Sequence, residues 1–296
     1  MFTPEAPAIR LAICIDAGQG DPGELVRALS RQDGAADCAL VLYVAGGADE
    51  AARQALRLIA GAFPGPNSVL PAGNDPDRTD TRQWLIAAAP ADWILFIGPD
   101  TLPAGPGFLR QSIEAAGAAP GPGAVLGGMT SASSRQDWPL TWVDPLAAHE
   151  RRAADPGLFV SSANLLVHRD ILKAIPFDGG FTSAQLADID WGLRVQAVYP
   201  IRHIDNPVVR GHSGTDERRL DDAAKSGPGL ARLLRRHPGL AGKLALIDLA
   251  RRVKGIPLLS PAARLIASSR ILPAKLRASA GRLYVAAACS PYIEPA

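Results

Sequence analysis

The chain has 296 residues, of which 47% are hydrophobic and 20% charged, and its mean hydropathy is +0.07. This composition excludes wholesale disorder, and the 29 glycines and 26 prolines show no three-residue period, which excludes a collagen-like chain. The formal net charge of +2 hides an asymmetry: residues 1–222 carry 18 basic and 27 acidic side chains, whereas residues 223–296 carry 13 basic and two acidic ones. Such an asymmetry suggests that the two parts meet different partners.

Apolar runs alternate with helix-forming runs through the first 130 residues. We predict strands at 9–15, 38–44, 68–70, 93–97 and 124–126, and helices at 22–30, 49–60, 78–89 and 107–118. After a polar, irregular stretch at 130–156, we predict an extended run at 158–167, helices at 168–175 and 186–198, and strands at 201–204 and 208–209. This order predicts an α/β fold, with a mostly parallel, Rossmann-like sheet that carries helices on both faces.

The C-terminal quarter has a different pattern, in which helices are separated by prolines. We therefore expect one domain at 1–215 and a basic helical extension at 216–296. Leucine and isoleucine recur there at helical spacing, at 230, 233, 234, 240, 244 and 247, and basic residues occupy the other faces. A basic amphipathic helix can lie on an anionic membrane surface; the alternative is an extension that packs on the first domain and has a solvated basic face. We expect no nucleic-acid partner, because the acidic body lacks a basic aromatic platform.

The cysteines favour a reducing compartment. Cys14, Cys38 and Cys289 form no Cys-x-x-Cys pair, and three is an odd number, so we expect a cytoplasmic protein. The first two lie in apolar runs and are expected to be small buried hydrophobes. The N-terminal segment has neither a basic n-region nor an apolar h-region, so we predict no signal peptide, and no run has the roughly 18 apolar residues of a membrane span.

One motif indicates a dinucleotide. Gly18, Gly20 and Gly23 match the Gly-x-Gly-x-x-Gly fingerprint between a predicted strand and a helix, which would suit NAD or FAD in an oxidoreductase. That fingerprint also needs an acidic residue at the end of the second strand to hold the ribose, and Val44 and Ala45 stand there instead. We keep this interpretation as a minor alternative.

Polar residues follow the predicted strands. Asp16 ends the first, Asn74 and Asp75 follow the third, and Asp100 follows the apolar run 93–97. In an open parallel sheet, ligands bind outside the carboxyl ends of the strands, so these side chains are candidate ligand contacts. A lone carboxylate in this position is often only a turn former, which is the alternative for Asp100.

The region from about residue 8 to 215 resembles a family-2-type glycosyltransferase of the GT-A fold. The features that carry the resemblance are, in order, the strand with Asn164, the basic Arg169, Phe177-Asp178, the helix start from Asp188 to Arg194, and the late His212. The resemblance implies a sugar transferred, with inversion, from a nucleoside-diphosphate donor to a glycan or lipid-linked acceptor. Such an enzyme would work at the cytoplasmic face of the cell membrane, in polysaccharide or envelope assembly.

The resemblance also implies roles for individual residues. Asp100 would ligate Mg²⁺ or Mn²⁺ at the donor diphosphate, and His212 would complete the metal shell. Asp188 would be the general base that takes the proton of the acceptor hydroxyl. Asp16, Asn74 and Asp75 are candidates for further donor contacts.

Acceptor contacts are expected from Trp138, Trp142 and Asn164, because indole rings stack on sugars; the alternative for both tryptophans is an anchor for a loop or the core. Trp191 is expected in the core, and Asp190 with Arg194 would brace the helix, since residues at i and i+4 share a face.

Three positions depart from the family pattern. Gly98 takes the place of the first carboxylate of the Asp-x-Asp motif, and Val44 and Ala187 replace other acidic residues. They motivate a second hypothesis, that the chain is a GT-A-like scaffold or binding protein that has lost catalysis. Two residues also have a purely structural alternative: Asp188 could be a helix N-cap, and His212 could be a surface histidine.

Overall fold

A computed structural model describes residues 9–19, 21–44, 50–70, 78–131, 142–144, 147–210, 216–269 and 271–293. These residues form ten strands, namely β1 (Leu11–Asp16), β2 (Cys38–Tyr43), β3 (Asn67–Leu70), β4 (Trp93–Ile97), β5 (Thr101–Pro103), β6 (Ala124–Leu126), β7 (Met129–Ser131), β8 (Asn164–His168), β9 (Ile201–His203) and β10 (Val208–Arg210). The chain divides into two compact units. The first unit comprises residues 1–132, 146–179 and 191–212, and the second comprises 133–145, 180–190 and 213–296. The boundary expected at residue 215 stays a prediction.

The same residues form twelve α-helices. They are α1 (Gly23–Ser30), α2 (Glu50–Gly61), α3 (Arg78–Ala88), α4 (Phe108–Gly117), α5 (His149–Ala154), α6 (Arg169–Ala174), α7 (Ala184–Gln196), α8 (Asp216–Ala224), α9 (Gly227–Arg236), α10 (Ala245–Val253), α11 (Leu259–Ser268) and α12 (Ala274–Cys289). Most predicted elements are present within two residues of their expected ends. The first half of the extended run predicted at 158–167 is wrong, because a 3₁₀ turn at Pro156–Phe159 takes its place.

A seven-stranded sheet dominates the first unit, in the order β3-β2-β1-β4-β8-β6-β9. Strands β1 to β4 pair in parallel, β8 is antiparallel to both of its neighbours, and β9 is parallel to β6. A second sheet has the order β5-β10-β7. The predicted α/β class with a mostly parallel sheet is therefore confirmed.

Both faces of the large sheet are buried, because successive side chains of a strand point to opposite sides. On one face Ile13 and Leu40 pack with apolar residues of α1, α2 and α4. On the other face Cys14 and Val41 pack with residues of α3, α6 and α7. Each fully buried Leu or Ile side chain contributes about 1.5–3 kcal/mol, so continuous apolar strands are what this layering requires.

The second unit contains the five helices α8 to α12. Its core includes Leu230, Leu233, Leu244 and Ile247, so these members of the periodic pattern are covered by protein and do not form the membrane-facing surface that the sequence suggested. Within the described part of the chain, no helix has both the length and the apolar character needed to cross a bilayer.

All three cysteines are buried and unpaired by disulfides in the described structure. Burial raises the pKa of the Cys38 thiol to about 12 and that of Cys289 to about 11. Burial also raises the pKa of Cys14, whose thiol donates to the carbonyl oxygen of Leu85. The sequence interpretation of Cys14 and Cys38 as small buried hydrophobes is confirmed.

Candidate functional site

The candidate site lies at one edge of the seven-stranded sheet, where its parallel strands end. Strands β1, β4, β6 and β9 run in one direction, so their carboxyl ends share this edge, and β8 begins there because it runs the other way. The edge therefore carries Asp16 at the end of β1, Asp100 in the turn after β4, and Asn164 at the start of β8. In open α/β sheets this edge is where ligands bind.

A tight turn after β4 presents the carboxylate of Asp100. The amide and hydroxyl of Thr101 both donate to the carbonyl oxygen of Gly98, at 3.1 and 2.7 Å, and so close the turn. Arg210 lies opposite Thr101 in the β5–β10 ladder, and its Nε is 3.5 Å from Oδ2 of Asp100. The Asp100 side chain keeps 20% of its surface exposed. The result is a positioned, partly accessible carboxylate beside a guanidinium.

Little space surrounds Gly98, which stands where the Asp-x-Asp motif has its first carboxylate. A Cβ at this position would lie 3.1 Å from Oδ1 of Asp100 and 3.2 Å from Cβ of Ala163. The Gly98 amide donates to the Ala163 carbonyl oxygen at 3.1 Å, so the backbone is fixed as well. A larger residue would have to displace its neighbours by a few tenths of an ångström, and the turn therefore offers one carboxylate rather than two.

Arg82 is a functional candidate that the sequence interpretation missed. This buried arginine of α3 donates from Nη2 to the hydroxyl of Ser162 at 3.1 Å, and its guanidinium carbon lies 4.2 Å from the centroid of the Phe177 ring. Ser162 is two residues before β8, so Arg82 brings a positive charge next to the sheet edge. Its contacts come from residues about 80 and 95 positions away, which no local pattern in the sequence could indicate.

Asp16 has a local structural contact. Its Oδ1 accepts a hydrogen bond from the amide of Gly18 at 3.0 Å and so closes the turn after β1. Asn74 and Asp75, the other candidates for donor contacts, lie outside the described residues.

The donor chemistry of this edge fits a hard divalent cation. Mg²⁺ and Mn²⁺ prefer oxygen ligands, and Mg²⁺ in particular is often held by one or two carboxylates together with water and substrate phosphates. Asp100 supplies such a carboxylate, while His212 lies outside the described residues. Among the residues that the structure describes, no group of three or more His, Cys, Asp or Glu side chains could hold a metal by itself.

Two aspartates in α7 belong to the second unit and differ in their surroundings. Asp188 is 3% exposed and is the fifth residue of the helix, so it is not an N-cap. Asp190 is fully buried, and both of its oxygens accept hydrogen bonds from Nη1 of Arg236 at 2.9 Å. His237 contacts the same carboxylate at 3.1 Å. Asp190 therefore serves an ion pair that joins α7 to the end of α9.

Two further residues that carry the resemblance, Trp191 and Arg169, have structural roles in the first unit. Trp191 is fully buried, stacks on Phe177 at 4.8 Å and donates to the Ile175 carbonyl oxygen at 2.7 Å, so its predicted core role is confirmed. Arg169 donates to the carbonyl oxygens of Ile86, Ala89 and Ala91, at the C-terminal end of α3. Its guanidinium thus neutralises the partial negative charge of that helix end.

The candidate acceptor residues make structural hydrogen bonds. The indole nitrogen of the buried Trp142 donates to the Ser226 hydroxyl at 3.1 Å, which is the anchoring role that the sequence left open. The side-chain amide of Asn164 donates to the carbonyl oxygens of Gly128 and Asn206, at 2.8 and 3.0 Å. Acceptor binding by either residue stays a prediction, and Trp138 lies outside the described residues.

A histidine pair lies at the end of β9, on the same sheet edge. Nδ1 of His203 is 2.7 Å from Nδ1 of His149, which begins helix α5. Burial, together with the positive charge of Arg152 and the neighbouring His149, lowers the pKa of His203 to about 4. His203 is therefore neutral near pH 7, beside the positive charge of Arg152.

The comparisons with known proteins concern the fold. No protein-family model and no curated protein sequence matches the chain. Among solved structures, it is similar to the mannosyltransferase of Pyrobaculum calidifontis in complex with GDP-Man and Mn²⁺, with a TM-score of 0.64 and 14% identity over 96% of this chain and 88% of that one.

It is also similar to glucosyl-3-phosphoglycerate synthase from Mycobacterium tuberculosis in complex with Mn²⁺, UDP-Glc and phosphoglyceric acid. That match has a TM-score of 0.52 and 19% identity, and covers 76% of this chain and 79% of that one. Sheet order, strand direction and both structural matches agree: the chain has the GT-A fold of these glycosyltransferases.

Proposed function

We propose that the protein is an inverting glycosyltransferase that moves a sugar from a nucleoside-diphosphate donor to a hydroxyl group of a glycan or lipid-linked acceptor. The observation that carries the proposal is the Asp100–Arg210 pair, presented at the carboxyl edge of a GT-A sheet. Both structural neighbours named above were solved with a nucleotide-sugar and Mn²⁺, which supports the same donor class here.

In this proposal the donor diphosphate lies beside the turn after β4. Asp100 and His212 would hold Mg²⁺ or Mn²⁺, which when bound would neutralise negative charge on the departing nucleoside diphosphate. Arg210 fixes the orientation of the Asp100 carboxylate, and Arg82 adds positive charge at the start of β8. Asp16, Asn74 and Asp75 would contact the rest of the donor.

Asp188 acts as the general base. It accepts the proton of the acceptor hydroxyl while that oxygen forms a bond to the anomeric carbon, and the bond from this carbon to the diphosphate oxygen breaks. A single displacement of this kind inverts the anomeric centre. Asp188 is buried in the interior of helix α7, a backbone setting that suits a base that must be held in one orientation.

The proposal also includes an acceptor and a location, which the sequence suggested. Trp138, Trp142 and Asn164 would contact the acceptor. The basic region 223–296 would meet an anionic membrane at its cytoplasmic face, where lipid-linked acceptors of polysaccharide assembly are available.

Donor turnover tests the proposal. The hydrolysis or transfer of UDP-glucose and GDP-mannose is followed with Mn²⁺ present, in the wild type and in Asp100→Asn, Asp188→Asn and Asp92→Asn. Asp92 is an exposed aspartate just before β4, at the opposite edge of the sheet, and is the matched control. We expect at least a 100-fold loss in the first two variants and none in the control. Wild-type rates in both would refute the proposal.

A second candidate is a GT-A-like scaffold that binds a nucleotide without transferring a sugar. The crowded Gly98 favours it, because it leaves the Asp-x-Asp turn with one carboxylate, and Ala187 beside Asp188 is buried and apolar. This candidate predicts nucleotide binding with no turnover of any donor in a panel of sugar nucleotides.

A further inference from the structure

Exposed apolar side chains are concentrated in one segment of the second unit. Six of the ten large hydrophobic residues that are exposed in the described part of the chain lie between residues 256 and 276. We call them the apolar strip: Ile256, Leu258, Leu265, Ile266, Ile271 and Leu276. Ile271 is 95% exposed, Leu258 79% and Leu265 77%. Clustered exposure on this scale marks an interaction surface, whereas scattered single residues do not.

Helix α11 shows that the strip faces away from the core. Ala263 and Ala267, one turn apart, are buried, and α11 packs on α12. Leu265 is two residues from each of these alanines, so at 100° per residue it lies on the opposite face of the helix, and Leu258 immediately precedes the helix. The inward face is closed by small residues, and the outward face carries large apolar ones.

Around the strip the sequence itself is basic, whereas helix α8, which packs against α11 and α12, carries Asp221 and Asp222. Between Asp248 and Glu294 the sequence contains eight basic residues and no acidic one. Arg252, Lys254, Lys275 and Arg282 are exposed. Two other basic residues of this stretch form ion pairs, Arg264 with Asp221 at 2.9 Å and Arg251 with Asp248 at 3.6 Å. An apolar surface bordered by cations fits a partner that is apolar inside and anionic at its surface.

We infer that the apolar strip inserts into the interfacial region of an anionic lipid bilayer, with α11 lying in the membrane plane. This inference rests on the function proposed above, and it names the surface that contacts the membrane. The sequence indicated the leucine-rich faces of α9 and α10 for this role, but Leu230, Leu233 and Ile247 are buried in the core. The insertion surface is therefore the strip and not those helices.

Leu258 carries an independent sign of this role. Its φ of 60° lies in the left-handed region, which is unfavourable for a residue with a side chain. Among the described residues other than glycine, Leu258 alone has a positive φ. Glycine at this position would relieve the strain, so folding alone gives no reason for leucine here. An exposed leucine in a strained position is explained if its side chain is buried in lipid.

The test is sedimentation of the full chain with vesicles, without a sugar nucleotide. Vesicles contain phosphatidylcholine with 30% phosphatidylglycerol, or phosphatidylcholine alone. The variants are Leu258→Gly and the triple Leu258→Asp/Leu265→Asp/Ile271→Asp; the matched control is Leu58→Asp/Val198→Asp, which changes side chains that are 70% and 68% exposed outside the strip. Thermal unfolding is measured for every variant.

We expect the wild type to bind the anionic vesicles, at least tenfold more tightly than the neutral ones, and to be released by salt. The triple variant should lose at least tenfold in partitioning while the control keeps wild-type binding. Leu258→Gly should bind several-fold more weakly with an unchanged or raised unfolding temperature, which separates membrane contact from folding.

Three results would overturn the inference: no binding of the wild type to anionic vesicles, equal binding of the triple variant, or equal binding to neutral vesicles. Self-association of the wild type that the triple variant abolishes, without vesicle binding, would instead assign the strip to a second copy of the chain. Donor turnover in detergent-free solution is assayed separately, so a failure here and a failure of the proposed function are distinguishable.

Discussion

Replacing Arg236 with methionine tests the ion pair that joins α7 to α9. Arg236 gives Asp190 two hydrogen bonds of 2.9 Å, and Asp190 is fully buried. Methionine keeps most of the aliphatic length and removes the charge, so the change leaves a buried carboxylate without its guanidinium. His237 still faces that carboxylate at 3.1 Å.

The expected cost follows from the burial of the two groups. Removing one partner of a fully buried pair costs about 3–5 kcal/mol, because the other charge stays in a low-dielectric site. Here the Arg236 side chain is 37% exposed, which gives the charge partial access to solvent, and His237 remains as a contact. We therefore expect the free energy of unfolding to fall by about 2–3 kcal/mol.

Urea unfolding at pH 7, followed by circular dichroism, measures this change. Asp190→Asn and the double variant Asp190→Asn/Arg236→Met complete a double-mutant cycle, and the double variant should be more stable than Arg236→Met alone because no buried charge is left. Arg235→Met, an exposed neighbour in the same turn, is the control and should change stability by less than about 0.5 kcal/mol. A loss no larger than the control's in Arg236→Met would refute this account of α7.

Three further outcomes are expected. The pKa of His203 is lowered to about 4, so the folded state binds fewer protons than the unfolded state between pH 4 and 6.5. The free energy of unfolding should therefore fall as the pH drops through this range, and it should fall less in His203→Gln. Urea unfolding at several pH values measures both. Gly192→Ala should cost about 1–3 kcal/mol in the same assay, because the added methyl would overlap the carbonyl oxygen of Gly157. The buried thiols should react with Ellman's reagent only after unfolding; rapid labelling of the native protein would contradict their burial.

The α/β framework was predictable because its signals are local. Continuous apolar runs at 93–97 and 124–126 give strands with the expected bounds, since strands covered on both faces need apolar residues at every position. The run at 158–167 was predicted incorrectly in its first half because Pro156 and Gly157 start a 3₁₀ turn. Short strands such as β5 and β7 have three residues each, too few for a periodic signal.

The partners of the site residues were not predictable in the same way. Asp100 could be singled out because it follows a strand, but its pairing with Arg210 depends on the register of β5 against β10, more than 100 residues apart in sequence. Arg82 lies within a helix, and its contacts with Ser162 and Phe177 arise from packing of distant segments. Sequence spacing carries no information about such contacts. A strand end indicates only that a residue lies at the edge of the sheet where ligands bind.

The C-terminal helices show a similar division. Their periodic leucines were recognised from spacing, which left open whether they face a membrane or a core, and Leu230, Leu233, Leu244 and Ile247 are buried in the core. The apolar strip is not amphipathic in the same regular way, because it combines one face of α11 with the segments that precede and follow it. Its exposure became visible only when the packing of α11 on α12 was known.

Calorimetric titration of UDP and GDP, with and without Mn²⁺, tests the central claim most directly: the edge around Asp100 is a site for a nucleoside diphosphate and a divalent cation. We expect the wild type and the Asp92→Asn control to bind at least one of these nucleotides at least tenfold more tightly with Mn²⁺, and Asp100→Asn to lose that metal-dependent gain. Binding of neither nucleotide by the wild type, or an undiminished gain in Asp100→Asn, would contradict the account.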